Sequence, residues 1–200
     1  GIPVKVDHGV DDEVVALFER VGQEQGGLDI LVNNVFKVPD IPVWSGDFWT
    51  HPISVWDDMV GIGLRSHYVA SHEAIPLMLG RKGGLVVNVS SRGGAGYTFS
   101  VAYGVGKAGV DRLAADMAVD LKDHGIACVS IWPSAVKTEF ILEQVALGKA
   151  KIDPARAQSP QLSGRAIVAL ALDPDLMKKS GEVLKVADLK VEYGFQDLED

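Results

Sequence analysis

The chain has 200 residues, of which 47% are hydrophobic and 23% are charged, and its formal net charge is −8. This length can bury one sizeable core and is short for two, so we expect a single domain over residues 1–200. An acidic balance without basic runs argues against nucleic acid or anionic lipid as a partner. No apolar run approaches the ~20 residues that cross a bilayer, and the start does not resemble a signal peptide. The single cysteine, Cys128, has no partner for an intrachain disulfide, which favours a reducing compartment such as the cytoplasm.

Short β-branched runs alternate with longer helical patterns along the chain, as is typical of βαβ units and a Rossmann-like, doubly wound parallel sheet. The middle three candidate strands are nearly continuous apolar runs, which predicts that they are central. The candidate strands span residues 2–6, 28–32, 85–89, 126–131 and 182–186.

Helical patterns lie between these strands. The first helix should be capped by Asp11 or Asp12 and end near Gly26. The others should start near Trp56, after Tyr103 and after Ser159-Pro160. The long connections 35–54 and 137–158 are the expected places for substrate contacts. In the first connection, an aromatic group could form either a satellite cluster or subunit contact, or a substrate wall: Trp44, Phe48 and Trp49.

A G-x-G-x-x-G pattern at Gly104, Gly106 and Gly109 matches the dinucleotide-binding fingerprint only in its letters. The true fingerprint directly follows a strand, so that pyrophosphate meets the N-terminus of a helix. A polar loop precedes this copy. We therefore interpret these glycines as sites where a helix packs closely against a neighbouring element or chain.

Tyr103 and Lys107 are four residues apart, which on a helix places phenol and ammonium one turn apart on the same face. The spacing alone is common and could describe an ordinary exposed pair. Its context is more informative, because the apolar run 85–89 ends in Ser90-Ser91 shortly before Tyr103. Two further candidate strands end in polar groups at the same edge, where open α/β sheets bind ligands.

Such a group of residues suits the interconversion of a carbonyl and an alcohol. A tyrosine with an ordinary pKa near 10 exchanges protons near neutral pH if a cation lies close, and Lys107 supplies one. A serine hydroxyl can hold the substrate oxygen while a cofactor carries the hydride. A hydrolase is a poor alternative, because no Gly-x-Ser-x-Gly elbow surrounds either serine. The histidines lack metal-ligand spacing, so we predict no metal site.

Taken in order, these motifs resemble the classical short-chain dehydrogenase/reductase family from the first strand to the last. The resemblance implies that Tyr103 is the general acid/base and that Lys107 lowers the pKa of Tyr103 and holds the nicotinamide ribose. It implies that Ser91 orients the substrate, with Ser90 as an alternative that restores the family's usual interval to the tyrosine. The resemblance also implies a cofactor site formed by Asp7, Asn33, Tyr103, Lys107, Pro133, Val136 and Thr138.

The chain departs from the family pattern at several places. Gly63 stands where most members have a catalytic asparagine, so a water-mediated proton relay must be rebuilt by other groups or is absent. Val35-Phe36 and Ser134 replace smaller family residues and could narrow the nicotinamide site. Nothing corresponds to the first two strands or to the Gly-rich turn that binds pyrophosphate. We therefore expect an N-terminally incomplete member, in which the strand at 28–32 becomes an edge.

The activity that the resemblance implies is hydride transfer between NAD(P)(H) and a small, xenobiotic or steroid-like carbonyl or alcohol. Residues 60–68 and 103–107 resemble one subgroup, which slightly favours NADP(H) over NAD(H) and implies association with the endoplasmic reticulum as well as a cytoplasmic location. We expect a homodimer or homotetramer formed through the helices of Trp56 and Tyr103. The alternative is a truncated, non-catalytic fragment that acts only through subunit association.

Overall fold

The computed structural model describes residues 1–39, 46–81, 83–149 and 152–198. Its sheet has four strands in the order β1-β2-β3-β4, and all neighbouring pairs are parallel. This confirms the predicted parallel α/β sheet. The strands are β1 (Ile30–Asn33), β2 (Gly84–Val89), β3 (Ile126–Trp132) and β4 (Val183–Lys185).

Helices connect the strands, as the alternating pattern predicted. The first is α1 (Asp11–Gln25), which ends at Gly26 in a left-handed conformation. A continuous helical segment then runs through α2 (Ser54–Trp56), a π-helix (Asp57–Arg65) and α3 (Ser66–Met78). The remaining helices are α4 (Val101–Leu121), α5 (Glu139–Ala146), α6 (Pro160–Ala171) and α7 (Val186–Tyr193).

Alternate residues of the central strands face opposite layers of helices, so the sheet is covered on both sides. On β2, Val86 packs with α1, α3 and α4, whereas Leu85 and Val87 pack with α6 and α7. On β3, Cys128 and Val129 divide between the same two layers. This arrangement explains why β2 and β3 read as continuous apolar runs: both faces of each strand are buried.

The prediction of a strand at residues 2–6 is wrong. These residues have no regular secondary structure and pair with no strand in the described part of the chain, although Val6 packs against the core. An apolar run can report burial, but a strand also requires a hydrogen-bonding neighbour. The apolar run at 28–32 indicated a central strand, whereas the lack of counterparts to the family's first two strands predicted an edge. The second expectation is confirmed: β1 is an edge of this sheet, and Ile30 and Val32 are 40% and 43% exposed.

Three helix starts differ in detail from the predictions. The N-cap of α1 is Val10, and the Asp11 carboxylate instead accepts two hydrogen bonds of 2.7 Å from the Arg65 guanidinium. The second helix begins at Ser54, slightly before Trp56, and continues as a π-helix. Ser159 does precede α6, but its hydroxyl donates to Asp197 and does not cap the helix.

The glycines of the G-x-G-x-x-G pattern lie inside α4, so the prediction that they serve close packing is confirmed for two of them. A Cβ atom on Gly106 would lie 2.7 Å from the Met59 carbonyl oxygen, and one on Gly109 would lie 2.5 Å from Leu64 Cδ2. Both neighbours belong to the π-helix. These glycines therefore allow α4 to approach the π-helix, and none of them follows a strand as a phosphate-binding turn would.

Candidate active site

Helix α4 presents Tyr103 and Lys107 at the carboxyl end of β2. Its N-cap is Ser100, whose hydroxyl accepts a hydrogen bond of 3.3 Å from the Tyr103 backbone N–H. This cap starts the helix just before Tyr103, so Tyr103 lies in the first turn and Lys107 in the second. The two side chains share one face of the helix.

Ser91 is the serine that reaches the tyrosine. Its Oγ lies 2.8 Å from the Tyr103 hydroxyl, and either oxygen can supply the hydrogen. The Gly93 backbone N–H donates to Ser91 Oγ at 3.1 Å, which fixes the serine. A Cβ atom on Gly93 would lie 2.5 Å from the Tyr103 ring, so only glycine leaves room for this approach. Ser90 is buried and donates instead to the Lys107 carbonyl oxygen at 3.0 Å.

Two aromatic rings hold the Tyr103 ring edge-on. The Phe36 and Phe99 ring centroids lie 6.0 Å and 5.2 Å from that of Tyr103, with interplanar angles of 86° and 78°. Burial raises the pKa of Tyr103 above its ordinary value, and the hydrogen bond with Ser91 lowers it in part. The lowering of this pKa by Lys107, which the family resemblance implies, remains a prediction.

Lys107 is buried, and its ammonium contacts neutral groups. Nζ donates to the Val89 carbonyl oxygen at 3.2 Å and lies 5.1 Å from the centroid of the Phe36 ring. Burial lowers the pKa of Lys107 to about 8, while the negative charge of Asp111 acts to raise it. Whether Lys107 carries a positive charge near neutral pH therefore depends on the groups around it.

The predicted cofactor residues outside α4 lie on three separate segments of the chain. Asp7 is exposed, and its carboxylate accepts a hydrogen bond of 2.8 Å from the Gly9 backbone N–H. Pro133 directly follows β3. Val136 forms an isolated bridge with Gln158, and Thr138 caps α5 by accepting from the Ile141 backbone N–H. Pro133, Val136 and Thr138 thus belong to one segment that leaves the carboxyl end of β3.

Asn33 lies at the carboxyl end of β1, but its amide group is used inside the protein. Nδ2 donates to Ser71 Oγ at 2.9 Å and to Asn88 Oδ1 at 3.0 Å, and the residue is only 4% exposed. Asn33, Asn88 and Ser130 are register partners across β1, β2 and β3. A buried polar row therefore crosses the sheet next to the candidate site.

Comparison with known proteins now identifies the family. The family described as short chain dehydrogenase matches residues 2–146. The chain belongs to this family. Its similar relatives include dehydrogenase/reductase SDR family member 1 of Mus musculus and of Homo sapiens, which are 43% and 42% identical over 99% of this chain. The chain spans 67% of the length of each of these relatives.

Solved structures agree with this assignment. A short chain dehydrogenase from Mycobacterium thermoresistibile has a TM-score of 0.80 and 27% identity, covering 98% of this chain and 68% of that one. The protein ElxO, solved with NADP bound, has a TM-score of 0.80 and 25% identity, covering 92% of this chain and 75% of that one. The predicted resemblance to the short-chain dehydrogenases, and to that subgroup within them, is therefore confirmed.

Two residues that depart from the short-chain dehydrogenase pattern, Gly63 and Phe36, are neighbours in the structure. Gly63 is buried in the π-helix, and a Cβ atom there would lie 3.6 Å from the Phe36 ring. That is an ordinary van der Waals contact, so the Phe36 ring packs directly against residue 63. Phe36 thus occupies the space beside Gly63 and forms a wall under the Lys107 ammonium. The substitutions at residues 36 and 63 fit each other, although they are far apart in the sequence.

Sequence reasoning missed two residues near the lysine. Asp111 lies one further turn along α4 and accepts hydrogen bonds from the Ser130 hydroxyl and the Trp132 indole. His67 is buried, its Nε2 lies 3.2 Å from the Val35 carbonyl oxygen, and its Nδ1 has no partner among the described residues. The four-residue spacing from Lys107 to Asp111 was visible in the sequence. No sequence signal marks His67.

The described ranges contain no cluster of three or more side chains that could hold a metal ion.

Of the predicted aromatic group, Phe48 and Trp49 are exposed and pack edge-on, with ring centroids 5.3 Å apart, while Trp44 lies outside the described residues. In the same described parts, no helix is both long and apolar enough to cross a membrane.

Proposed function

We propose that this chain carries the proton-transfer centre of an oxidoreductase that moves a hydride between NAD(P)(H) and a carbonyl or alcohol substrate. Tyr103 is the general acid/base, Ser91 holds the substrate oxygen, and Lys107 supplies the nearby positive charge. The observation that carries the proposal is the 2.8 Å contact between Ser91 Oγ and the hydroxyl of half-buried Tyr103, on a helix face shared with buried Lys107.

The chemistry follows from these positions. In the reduction direction, a carbonyl oxygen beside the Ser91 and Tyr103 hydroxyls accepts hydrogen bonds from both, which polarises the C=O bond. As hydride reaches the carbon, Tyr103 gives its proton to the oxygen. The positive charge of Lys107 stabilises the tyrosinate that remains. The nicotinamide cofactor supplies the hydride.

The proposed cofactor residues are Asp7, Asn33, Tyr103, Lys107, Pro133, Val136 and Thr138. Asp7 is exposed at the surface, where a nucleotide can reach it, whereas the amide of Asn33 is buried and bonded within the protein. Asn33 therefore shapes the site through the backbone that follows it. We propose NADP(H) ahead of NAD(H), and ElxO, which was solved with NADP, gives this choice some support.

We propose a small, xenobiotic or steroid-like substrate. We also propose a single partial NAD(P)-binding domain, since the two larger core clusters pack on one sheet. Exposed Phe48 and Trp49 could provide an apolar wall for such a substrate.

For location, we propose the cytoplasm with association with the endoplasmic reticulum. The proposed homodimer or homotetramer is supported by exposed Trp56 and Val105 on the helical segments predicted to form it.

Calorimetric titration with NADPH and NADH tests cofactor binding directly, and turnover of apolar aldehydes and ketones tests the reaction. Tyr103→Phe should leave binding unchanged and lower kcat by about 10²–10⁴-fold, because the proton donor is lost. Tyr68→Phe, at an exposed tyrosine of α3, is the matched control and should be neutral. Equal turnover by Tyr103→Phe and the parent chain would contradict the proposed role.

A second candidate is a non-catalytic chain that acts through subunit association. The observation in its favour is that Asp7, the residue expected beside the adenine, lies beside an open cleft in a segment that pairs with no strand of the described chain. This candidate predicts a dimer by sedimentation velocity with no heat on adding either nucleotide. Binding of NADPH with a Kd in the micromolar range would reject it.

A further inference from the structure

Lys107 must keep its charge in a position that disfavours charge. Its side chain is buried, and the groups it contacts, the Val89 carbonyl oxygen and the Phe36 ring, carry no net charge. Within the described ranges it forms no ion pair. Burial lowers the pKa of Lys107 to about 8, so at that pH only about half of the molecules hold an ammonium.

Asp111 opposes this loss of charge. It follows Lys107 by four residues on α4, so Tyr103, Lys107 and Asp111 lie along one helix face at successive turns. Its carboxylate acts on the lysine through space and raises the pKa of Lys107. The other titratable groups near Lys107 are uncharged at neutral pH, because burial raises the pKa of Tyr103 and lowers that of His67 to about 4.

Strand β3 fixes the carboxylate without neutralising it. The Ser130 hydroxyl donates to Asp111 Oδ1 at 2.6 Å, and the Trp132 indole N–H donates to both oxygens at 3.0 Å and 3.2 Å. Both donors are neutral, so the negative charge stays available to Lys107. The Gly94 backbone packs against the same carboxylate, and a Cβ atom there would collide with Oδ2.

We infer that Asp111 is a positioning residue that holds Lys107 in its ammonium form, with Ser130 and Trp132 anchoring Asp111 to the sheet. The inference rests on the proposed function, because that function assigns the work to the Lys107 charge. Asp111 is then a fourth member of the site, beside Ser91, Tyr103 and Lys107, and it acts on the reaction only through Lys107.

The test is a titration of Lys107 by NMR on the full chain labelled with ¹³C and ¹⁵N lysine, with Lys107→Met identifying the resonance. In Asp111→Asn the transition of Lys107 should move to lower pH, and its ammonium fraction at pH 8 should fall severalfold. Asp111→Ser removes the charge while still accepting hydrogen bonds, and it replaces the asparagine variant if that variant fails to fold. Asp116→Asn is the control, since Asp116 is exposed on α4 and pairs with Arg112.

An unchanged Lys107 titration in the folded neutral variants would overturn the inference, even if Asp111→Asn lowered the melting temperature. The same shift in Asp116→Asn would overturn it too, because the effect would then be general. The titration needs neither cofactor nor substrate. If the chain binds no nucleotide but the Lys107 transition shifts in the Asp111 variants, only the proposed function is rejected. If the chain turns over substrate but the Lys107 transition does not shift, only the role of Asp111 is rejected. In active variants, the limb of the pH–rate profile that reports Lys107 should move with the NMR transition.

Discussion

Two regions differ in how firmly they hold their functional groups: the inner side, formed by β2, β3 and α4, and the outer side, formed by residues 1–10 and β1. On the inner side, around β2, β3 and α4, the polar atoms of Ser91, Lys107 and Asp111 all have partners in the protein. On the outer side, residues 1–10 form no strand, β1 is an edge, and a cleft of about 610 Å³ opens beside Asp7 and Phe36. The side proposed to transfer the proton is therefore preorganised by packing, whereas the side proposed to bind adenine has little support from neighbouring strands. Substitutions where the two sides meet, and matched substitutions within each side, test this difference.

The largest expected effect on stability comes from His67, which lies where the two sides meet. Burial and the nearby positive charge of Lys107 lower the pKa of His67 from 6.5 to about 4, with a smaller contribution from His8. Between these pH values the unfolded chain binds a proton at this residue and the folded chain does not. Stability should therefore fall as the pH drops from 6.5 towards 4, by about 3 kcal/mol in total from this residue.

Urea denaturation between pH 4 and 7 measures this contribution. His67→Gln should flatten the pH dependence, since glutamine does not titrate. A parent chain whose stability is constant from pH 6.5 to 4.5 would contradict the prediction. It would mean that His67 becomes solvated readily, so the tightly packed region would end before α3.

The sequence predicted the parts that depend on local patterns. Apolar runs located β2 and β3, and polar residues after strands located the edge where Ser91 and Tyr103 meet. The run at 2–6 misled, because its letters show an apolar segment but not whether a partner strand lies beside it. The fit of Phe36 to Gly63 could not be predicted either, since the two residues meet only where the segment after β1 packs against the π-helix.

The next largest effect concerns the contact between α4 and the π-helix. Gly106→Ala should destabilise the chain by about 1–3 kcal/mol, because the added Cβ atom meets the Met59 carbonyl oxygen at 2.7 Å and the backbone must move. Gly104→Ala is the matched control within the same pattern. Its Cβ atom would be at an ordinary distance of 3.5 Å from the Gly93 carbonyl oxygen, so the higher helix propensity of alanine should stabilise it slightly.

Thermal unfolding of the two alanine variants separates these expectations. Equal melting temperatures would show that the π-helix can shift away from α4 at little cost. The inner side would then be less rigid than its contacts indicate, and the 2.8 Å contact between Ser91 and Tyr103 would owe less to packing.

The smallest expected effect is on the outer edge, and it is measured against the centre of the sheet by one identical substitution. Val32 of β1 and Val87 of β2 are register partners, but Val32 is 43% exposed and Val87 is fully buried. Val32→Thr should change the free energy of unfolding by no more than ~0.5 kcal/mol, because the new hydroxyl can reach water. Val87→Thr buries its hydroxyl and should cost about 1–3 kcal/mol. If Val32→Thr cost as much as Val87→Thr, the β1 edge would be covered in solution. A cost that grew with protein concentration would identify the cover as a second copy of the chain, because association contributes to stability in proportion to the logarithm of concentration.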